Sequence, residues 1–324
     1  MSDIKVSVCV PVYGVEKYIE RCVRSLWEQT MQDGIEFIIV NDCTKDRSME
    51  ILKEILKEYP NRESQVKIVD HEKNMGLTGA RNTALKYAVG EYITHCDSDD
   101  WVDPDYYEKM YHTASAANAD VVYTEFLFEK EDKQTLYSIA PYTDVERFFK
   151  ENFNTLAFNS LVNKMVRKEI ALAEDINVPA HINVAEDLLR SGQMMLFCKS
   201  LVFCPGTYYH YFRSNNESIS CKIGRKNLTD NYEICETFCQ RFPEKYRPIC
   251  EAFRGQVLFT GLRVRDLSRQ EYRALYPDYK QLIWSVVRNG YLPLKKRAFL
   301  FGAHFAYYFF KWLLKCVARD KVAV

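Results

Sequence analysis

Asp97-Ser98-Asp99-Asp100 puts three carboxylates in four residues, just behind the short apolar run Tyr92-Ile93-Thr94. Carboxylates this close repel one another, so a strand end that carries them ordinarily has a cation to offset the cost. Hard carboxylate oxygens suit Mg²⁺ or Mn²⁺. Such ions commonly take one or two carboxylates and complete their shell with a substrate diphosphate. The competing reading is an acidic turn that caps the next helix. Asp103-Pro104 has the form of an N-cap followed by proline at the first helical position. That accounts for Asp103 and leaves Asp97, Asp99 and Asp100 without a role.

A site of this kind needs a rigid edge to stand on, and the first part of the chain alternates strand and helix patterns. Val6-Ser7-Val8-Cys9-Val10, Phe37-Ile38-Ile39-Val40, Val66-Lys67-Ile68-Val69 and 91–95 read as strands. Between them, apolar residues recur at helical spacing over Val15 to Trp27, over Ile51 to Tyr59, and from about Thr78 to Val89, where Gly90 ends the helix. A fourth helix is expected from Pro104 to about Ala117. This βαβαβαβα order argues for an α/β fold with a mostly parallel central sheet and helices on both faces. Ligands of such sheets sit outside the carboxyl ends of the strands. Pro11-Val12-Tyr13, Asn41-Asp42 and the acidic cluster all fall at that edge. Neither G-x-G-x-x-G nor G-x-x-x-x-G-K-[ST] occurs, so a dinucleotide fingerprint and a P-loop are unsupported.

Beyond Asp120 the pattern is mixed. A strand pair over 121–128, helices over 146–153 and 184–198, and a strand at Leu201-Val202-Phe203 are expected, and from about Lys222 the chain reads as helical. The 324 residues carry no net charge, with 47% hydrophobic and 27% charged residues, which supports a substantial core and no nucleic-acid partner. The 11 cysteines show no paired metal-ligand spacing and read as buried free thiols in a reducing cytoplasm. No signal peptide precedes the first strand, so a cytoplasmic protein is expected.

Taken together, these segments resemble the inverting nucleotide-sugar glycosyltransferases of family 2, with the GT-A fold, of the type that builds bacterial capsular, exopolysaccharide and surface glycans. The resemblance rests on five segments in order. These are Val6 to Tyr13; Phe37 to Ser48; Asn74-Met75-Gly76-Leu77-Thr78-Gly79-Ala80-Arg81-Asn82; Asp97 to Asp100; and Ala185-Glu186-Asp187. The second segment departs from the family habit, with Asn41 where Asp is usual and Cys43 where Gly is usual.

The resemblance implies a role for each. Pro11 and Tyr13 would bind the donor, with Tyr13 stacking on the base, while Asp42 accepts the uracil N–H. Asn74, Gly76 and Arg81, at the start of a helix, would hold the diphosphate, or Arg81 would pair with the acidic cluster. Asp99 would contact Mn²⁺ or Mg²⁺, and Asp100 would share the ion or support the turn. Asp97 would contact the ribose or the metal, and Ser98 would line the nucleotide-sugar site. Asp187, with Glu186 as its fallback, would be the general base of a single inverting displacement. In Tyr208-Tyr209-His210-Tyr211-Phe212-Arg213, His210 would complete the metal shell or touch a phosphate, and Arg213 would bind the diphosphate. Lys164 matches a position near the acceptor.

The implied partners are a UDP-sugar donor and a glycan or polyprenyl-linked acceptor, and a homodimer is compatible with the pattern. A catalytic domain over 1–221 and a helical C-terminal region over 222–324 are expected. In the latter, Leu294-Lys295-Lys296-Arg297 precedes the aromatic-rich stretch from Ala298 to Val317, which His304, Lys311 and Lys315 interrupt. That stretch reads as an interfacial helix on the inner face of the cytoplasmic membrane, or as a packed helix. Two other functions compete: a sugar nucleotidyltransferase, which wants a Gly-rich basic loop that Pro11-Val12-Tyr13-Gly14 does not supply, and a non-catalytic binding subunit.

Overall fold

The computed structural model describes residues 4–130, 133–153, 155–173, 178–179, 181–182, 185–213, 225–264, 267–288, 293–307 and 309–310. The chain divides into two compact units, Met1–Ser218 and Ile219–Val324.

Among the described residues, the first unit is built on a nine-stranded sheet. Its strands are β1 (Val6–Val12), β2 (Ile35–Asn41), β3 (Val66–Asp70), β4 (Tyr92–His95), β5 (Trp101–Val102), β6 (Val121–Lys130), β7 (Lys133–Tyr137), β8 (Lys164–Arg167) and β9 (Leu201–Phe212). The order is β3-β2-β1-β4-β8-β6-β9-β5, with β7 beside β6. The leading four strands are parallel, as the strand–helix alternation requires. All seven residues of β1 are buried, and so is most of β2. Strands covered on both faces read as continuous apolar runs rather than alternating ones, which is why these were visible in the sequence. The helices of this unit are α1 (Ile19–Trp27), α2 (Ser48–Leu56), α3 (Gly76–Tyr87), α4 (Tyr106–Ala116), α5 (Val145–Asn152), α6 (Leu156–Asn159), α7 (Lys168–Ala171) and α8 (Glu186–Phe197). In α1, Ile19, Cys22, Val23, Leu26 and Trp27 form the buried stripe.

Register decides where the polar residues emerge. Val12 pairs with Asn41, and Asn41 with Asp70, so β1, β2 and β3 end at one level. Tyr13, Asp42 and His71 leave the sheet together there.

Several elements differ from the sequence reading. The strand pair expected over 121–128 is a single strand, β6, whose antiparallel partner β7 begins at Lys133. The strand at Leu201 runs on to Phe212, past Pro205 and Gly206, with a break in register opposite Tyr123 and Glu125. The strand β5, Trp101 and Val102 alone, is too short to announce itself, and β8 has only four residues, with Lys164 and Arg167 at its ends. Asp103 does not cap α4, whose N-cap is Asp105. Its carboxylate instead accepts from the Tyr208 N–H (2.8 Å) and meets His210 Nε2 (2.9 Å), tying the acidic turn's exit to β9.

The second unit is helical, with α9 (Arg225–Arg241), α10 (Arg247–Arg263), α11 (Arg269–Leu275), α12 (Tyr279–Arg288) and α13 (Leu294–Phe305). Among the described residues no helix is long and apolar enough to cross a membrane. Residues 311–317 of the aromatic-rich stretch lie outside the described residues.

Candidate active site

Two polar knots stand at the carboxyl edge of the sheet. The first forms where β2 ends. Asp42 is 3% exposed. Its Oδ1 accepts from the Met75 N–H (2.7 Å) and contacts His71 Nδ1 (2.7 Å), and its Oδ2 accepts from the Gly76 N–H (2.8 Å). His71 in turn reaches Thr83 Oγ1 through Nε2 (2.8 Å). Three of the roughly four lone-pair sites of the carboxylate are therefore taken by the protein. Asn74 Oδ1 shares the Gly76 N–H (3.0 Å), so Asn74 and Asp42 cap the start of α3 from outside. The N–H groups expected to meet a phosphate here are committed to that cap.

Cys43 sits at φ 58°, the left-handed conformation that explains why glycine is usual at this place. Asn41 holds the turn through the Thr44 N–H (3.0 Å) and Asp70 (2.8 Å). Pro11 is buried in β1, whereas the Tyr13 side chain, one residue past the strand, is 52% exposed and presents an aromatic face.

The second knot joins the acidic turn to α3 and α8. Arg81, buried on α3, donates from Nη2 to Asp97 Oδ1 (2.6 Å) and from Nη1 to Glu186 Oε1. Burial works against its charge, and the two carboxylates outweigh that and hold its proton more tightly than usual. Both readings of Arg81 concerned a carboxylate or a phosphate, and the structure supplies the carboxylates.

The three aspartates of the turn then divide. Asp100, 2% exposed, accepts from Tyr209 OH (2.9 Å) and from the Phe212 N–H (2.7 Å). Burial, with Asp99 and Asp97 beside it, pushes its carboxyl well above the usual range. It is a strut to β9. Ser98 is buried beneath the turn, while Asp97 and Asp99 are partly exposed.

His210 stacks on Trp101 with centroids 5.0 Å apart, and both its ring nitrogens meet carboxylates: Glu129 at 2.7 Å and Asp103 at 2.9 Å. Burial alone would lower its affinity for a proton, yet the two carboxylates raise it above the ordinary histidine value. An imidazolium donating from both nitrogens has no lone pair for a metal. Arg213 lays its guanidinium over Phe128, 4.8 Å from the ring centre, and bonds to Glu129 through its backbone. His210 and Arg213 thus serve the β6–β9 end in this structure. Among the described residues no cluster of three or more His, Cys, Asp or Glu is arranged to hold a metal. Asp97 and Asp99 remain as hard oxygen donors, and two carboxylates completed by a diphosphate are an ordinary donor set for Mg²⁺ or Mn²⁺.

At the start of α8, Glu186 and Asp187 part company. Ala185 turns the chain through the left-handed region (φ 59°) and caps nothing with its side chain. Glu186 points inward, 2% exposed, onto Arg81, and its Oε2 is buried without a hydrogen-bond partner among the described residues. Asp187 accepts the neighbouring Leu188 N–H (2.8 Å). Burial and the adjacent Glu186 push its carboxyl up to about 7, against the opposing pull of Arg81 and of Leu188. A helix N-terminus should favour the charged form by about 0.3–1 kcal/mol, less than one pKa unit, so the dipole loses to burial and Glu186.

Sequence reasoning gave no role to His71, Asn82, Arg190 or Tyr209. Asn82 bonds to the Val178 carbonyl (2.9 Å) and receives Arg190 Nη2 (2.7 Å), which fastens α3 to α8. Asn82 and Tyr209 lie inside segments already singled out, 74–82 and 208–213, whereas His71 and Arg190 carried no motif. Lys164 is fully enclosed. It donates to the carbonyls of Ala157 (2.7 Å), Phe158 (3.1 Å) and Ser160, which close α6. Burial lowers its pKa to about 7, partly offset by Asp187.

A mixed α/β sheet whose carboxyl edge carries an acidic turn, linked through Arg81 to a Glu-Asp pair at a helix start, has the architecture of the GT-A class. Residues 7–172 match the model of glycosyl transferase family 2. The Bacillus subtilis (strain 168) protein named "Putative glycosyltransferase EpsH" is 34% identical over 73% of this chain and 69% of its own length. A poly(ribitol-phosphate) beta-glucosyltransferase of Bacillus spizizenii is 29% identical over 67% of this chain and 34% of its own. The crystal structure of Staphylococcus aureus TarS 1-349 in complex with UDP-GlcNAc superposes with a TM-score of 0.71 at 21% identity, covering 93% of this chain and 87% of that one. The chain belongs to glycosyl transferase family 2 and is a glycosyltransferase. That membership sets aside the nucleotidyltransferase and the non-catalytic subunit.

Proposed function

We propose that this enzyme moves a sugar, with inversion, from a UDP-sugar to a hydroxyl of a glycan or polyprenyl-linked acceptor in surface polysaccharide biosynthesis. The observation that carries the reading is Asp187. It is a carboxylate held near pKa 7 beside a buried Glu186, on a bridge that reaches the acidic turn through Arg81. A base works best when its pKa lies near the operating pH. Asp187 takes the acceptor's proton as that oxygen bonds to the anomeric carbon. The bond from that carbon to the diphosphate breaks, and its electron pair leaves with the diphosphate. Glu186 positions Arg81 and stays out of proton transfer. Arg81 keeps Asp97 oriented at the donor end.

Tyr13 stacks on the base, and Asp42 shapes the pocket by holding residues 71–76. TarS has been crystallised with UDP-GlcNAc and with UDP, which favours a uridine donor here. Asp97 and Asp99 would hold Mn²⁺ or Mg²⁺, whose charge would offset that of the departing nucleoside diphosphate. The acceptor is met at the inner face of the cytoplasmic membrane, where a polyprenyl carrier resides.

The test is release of nucleoside diphosphate from a panel of nucleotide sugars, with calorimetric titration of UDP in Mn²⁺ and in chelator. Preference for UDP-sugars and loss of UDP affinity in chelator are expected. Equal affinity in both removes the metal from the mechanism, and preference for another nucleotide removes the uridine.

A further inference from the structure

The second unit carries an apolar stripe on its outside. In α13 the inward residues are Leu300 and Ala303. Its opposite face presents Leu294, Ala298, Phe301 and Phe305, spaced four, three and four apart, all exposed. Trp284 of α12 joins them. Its ring lies 5.7 Å from Phe301, and Phe301 lies 5.2 Å from Phe305. Phe309 continues the stripe, and Leu294, Phe305 and Phe309 are each more than half exposed. A contiguous exposed aromatic surface of this kind marks something it meets.

Charge narrows what that is. From Tyr279 to Phe310 the chain has five Lys or Arg, namely Lys280, Arg288, Lys295, Lys296 and Arg297, and no Asp or Glu, within a protein of zero net charge. The five are not equivalent. Lys296 turns inward to Gln256 and over Phe259, and Arg297 bonds to the Val287 carbonyl. Lys295 and Arg288 remain exposed at the border of the stripe. A second copy meeting this face about a twofold axis would set like charges against like, which disfavours pairing. A lipid surface with anionic headgroups suits both features. It takes Trp and Phe at the headgroup level and attracts Lys and Arg at the rim. Because two of the three clustered basic residues are folded back, the aromatic stripe must supply most of the affinity.

We infer that Trp284, Phe301 and Phe305 form a membrane-docking face that holds the enzyme on an anionic bilayer, with Lys295 and Arg288 as its electrostatic rim. The inference deepens the proposed acceptor reading, on which it rests, by giving the enzyme a direct hold on the surface that would carry a lipid-linked substrate. The face lies parallel to the membrane and does not enter it as a span.

The test is cosedimentation of the full chain with phosphatidylcholine–phosphatidylglycerol vesicles and with phosphatidylcholine alone, with UDP affinity and solution mass measured in parallel. Three proteins are compared: wild type, Trp284→Ala/Phe301→Ala/Phe305→Ala, and Arg288→Gln/Lys295→Gln. Wild type should pellet with anionic vesicles, and the aromatic variant should partition about tenfold or more weakly, from the apolar area it withdraws. The charge variant should lose a few-fold, and only at low salt. All three should bind UDP alike. Wild type that stays in solution, an aromatic variant that pellets as before, or a wild-type dimer that the aromatic variant dissolves would each overturn the docking face. Vesicle binding without UDP binding would keep the docking face and sink the donor reading instead.

Discussion

Asp42 and Asp187 are both carboxylates at the same edge of one sheet, and the fold treats them in opposite ways. Around Asp42 it gathers two backbone N–H groups and an imidazole, so the charge is solvated by protein and the carboxylate holds a loop. Around Asp187 the described residues supply one hydrogen bond, from the local Leu188 N–H; Glu186 is set beside it, and Arg81, a nearby cation, spends its two terminal nitrogens on Asp97 and Glu186. A satisfied carboxylate is inert and structural, whereas an under-satisfied one near neutrality is ready to accept a proton. The comparison predicts which aspartate fails in chemistry and which in folding.

The largest effect should come from Asp187→Asn, which keeps the size and loses the basic lone pair. Sugar transfer should fall by about a hundred- to ten-thousand-fold with UDP affinity nearly unchanged. The same variant carries a stability signature. The folded carboxyl titrates at about 7, well above the ~3.9 of an unfolded aspartate, so between those values the native state holds a proton that the unfolded chain has lost. Stability is therefore lost as pH rises from about 4 to about 7 and is flat above that. The asparagine variant should lack this decline in melting scans across that window. Activity retained in Asp187→Asn would move the base elsewhere and dissolve the comparison.

Asp99→Ala should come next, lowering turnover by on the order of a hundredfold through loss of charge stabilisation at the leaving group. Turnover within a few-fold of wild type would shift the donor-end role to Asp97.

Asp42→Asn should break folding rather than chemistry. It puts an amide where the Met75 and Gly76 N–H groups need acceptors, at a cost of about 1–3 kcal/mol in denaturant titration. Transfer per folded molecule should change less than in either variant above. An unchanged stability with UDP affinity lost would return Asp42 to direct contact with the base.

The smallest and most discriminating effect belongs to Glu186→Gln. Removing the negative neighbour favours the ionised form of Asp187, so the acid limb of kcat against pH, expected near 7, should move to lower pH. If the limb stays in place, Glu186 is not what holds Asp187 up.

Much of this enzyme is legible in the order of its amino acids alone. The buried parallel strands declare themselves as continuous Val/Ile runs, and the motif residues fall where those strands stop, because a parallel sheet sends every strand's carboxyl end to one edge. Residue type suffices for the kind of chemistry: clustered aspartates, a Glu-Asp pair and a tyrosine after the first strand. What sequence could not divide was neighbours. Asp97, Asp99 and Asp100 look alike in a string, as do Glu186 and Asp187 and as do Lys295, Lys296 and Arg297. Whether each one faces a strand, a cation or open surface depends on chain segments 16 to 112 residues away, such as Arg81 for Asp97, Glu186 for Arg81 and Phe212 for Asp100. Local propensity carries no information about those partners. Desolvation and pairing exist only once the tertiary structure has brought these side chains together.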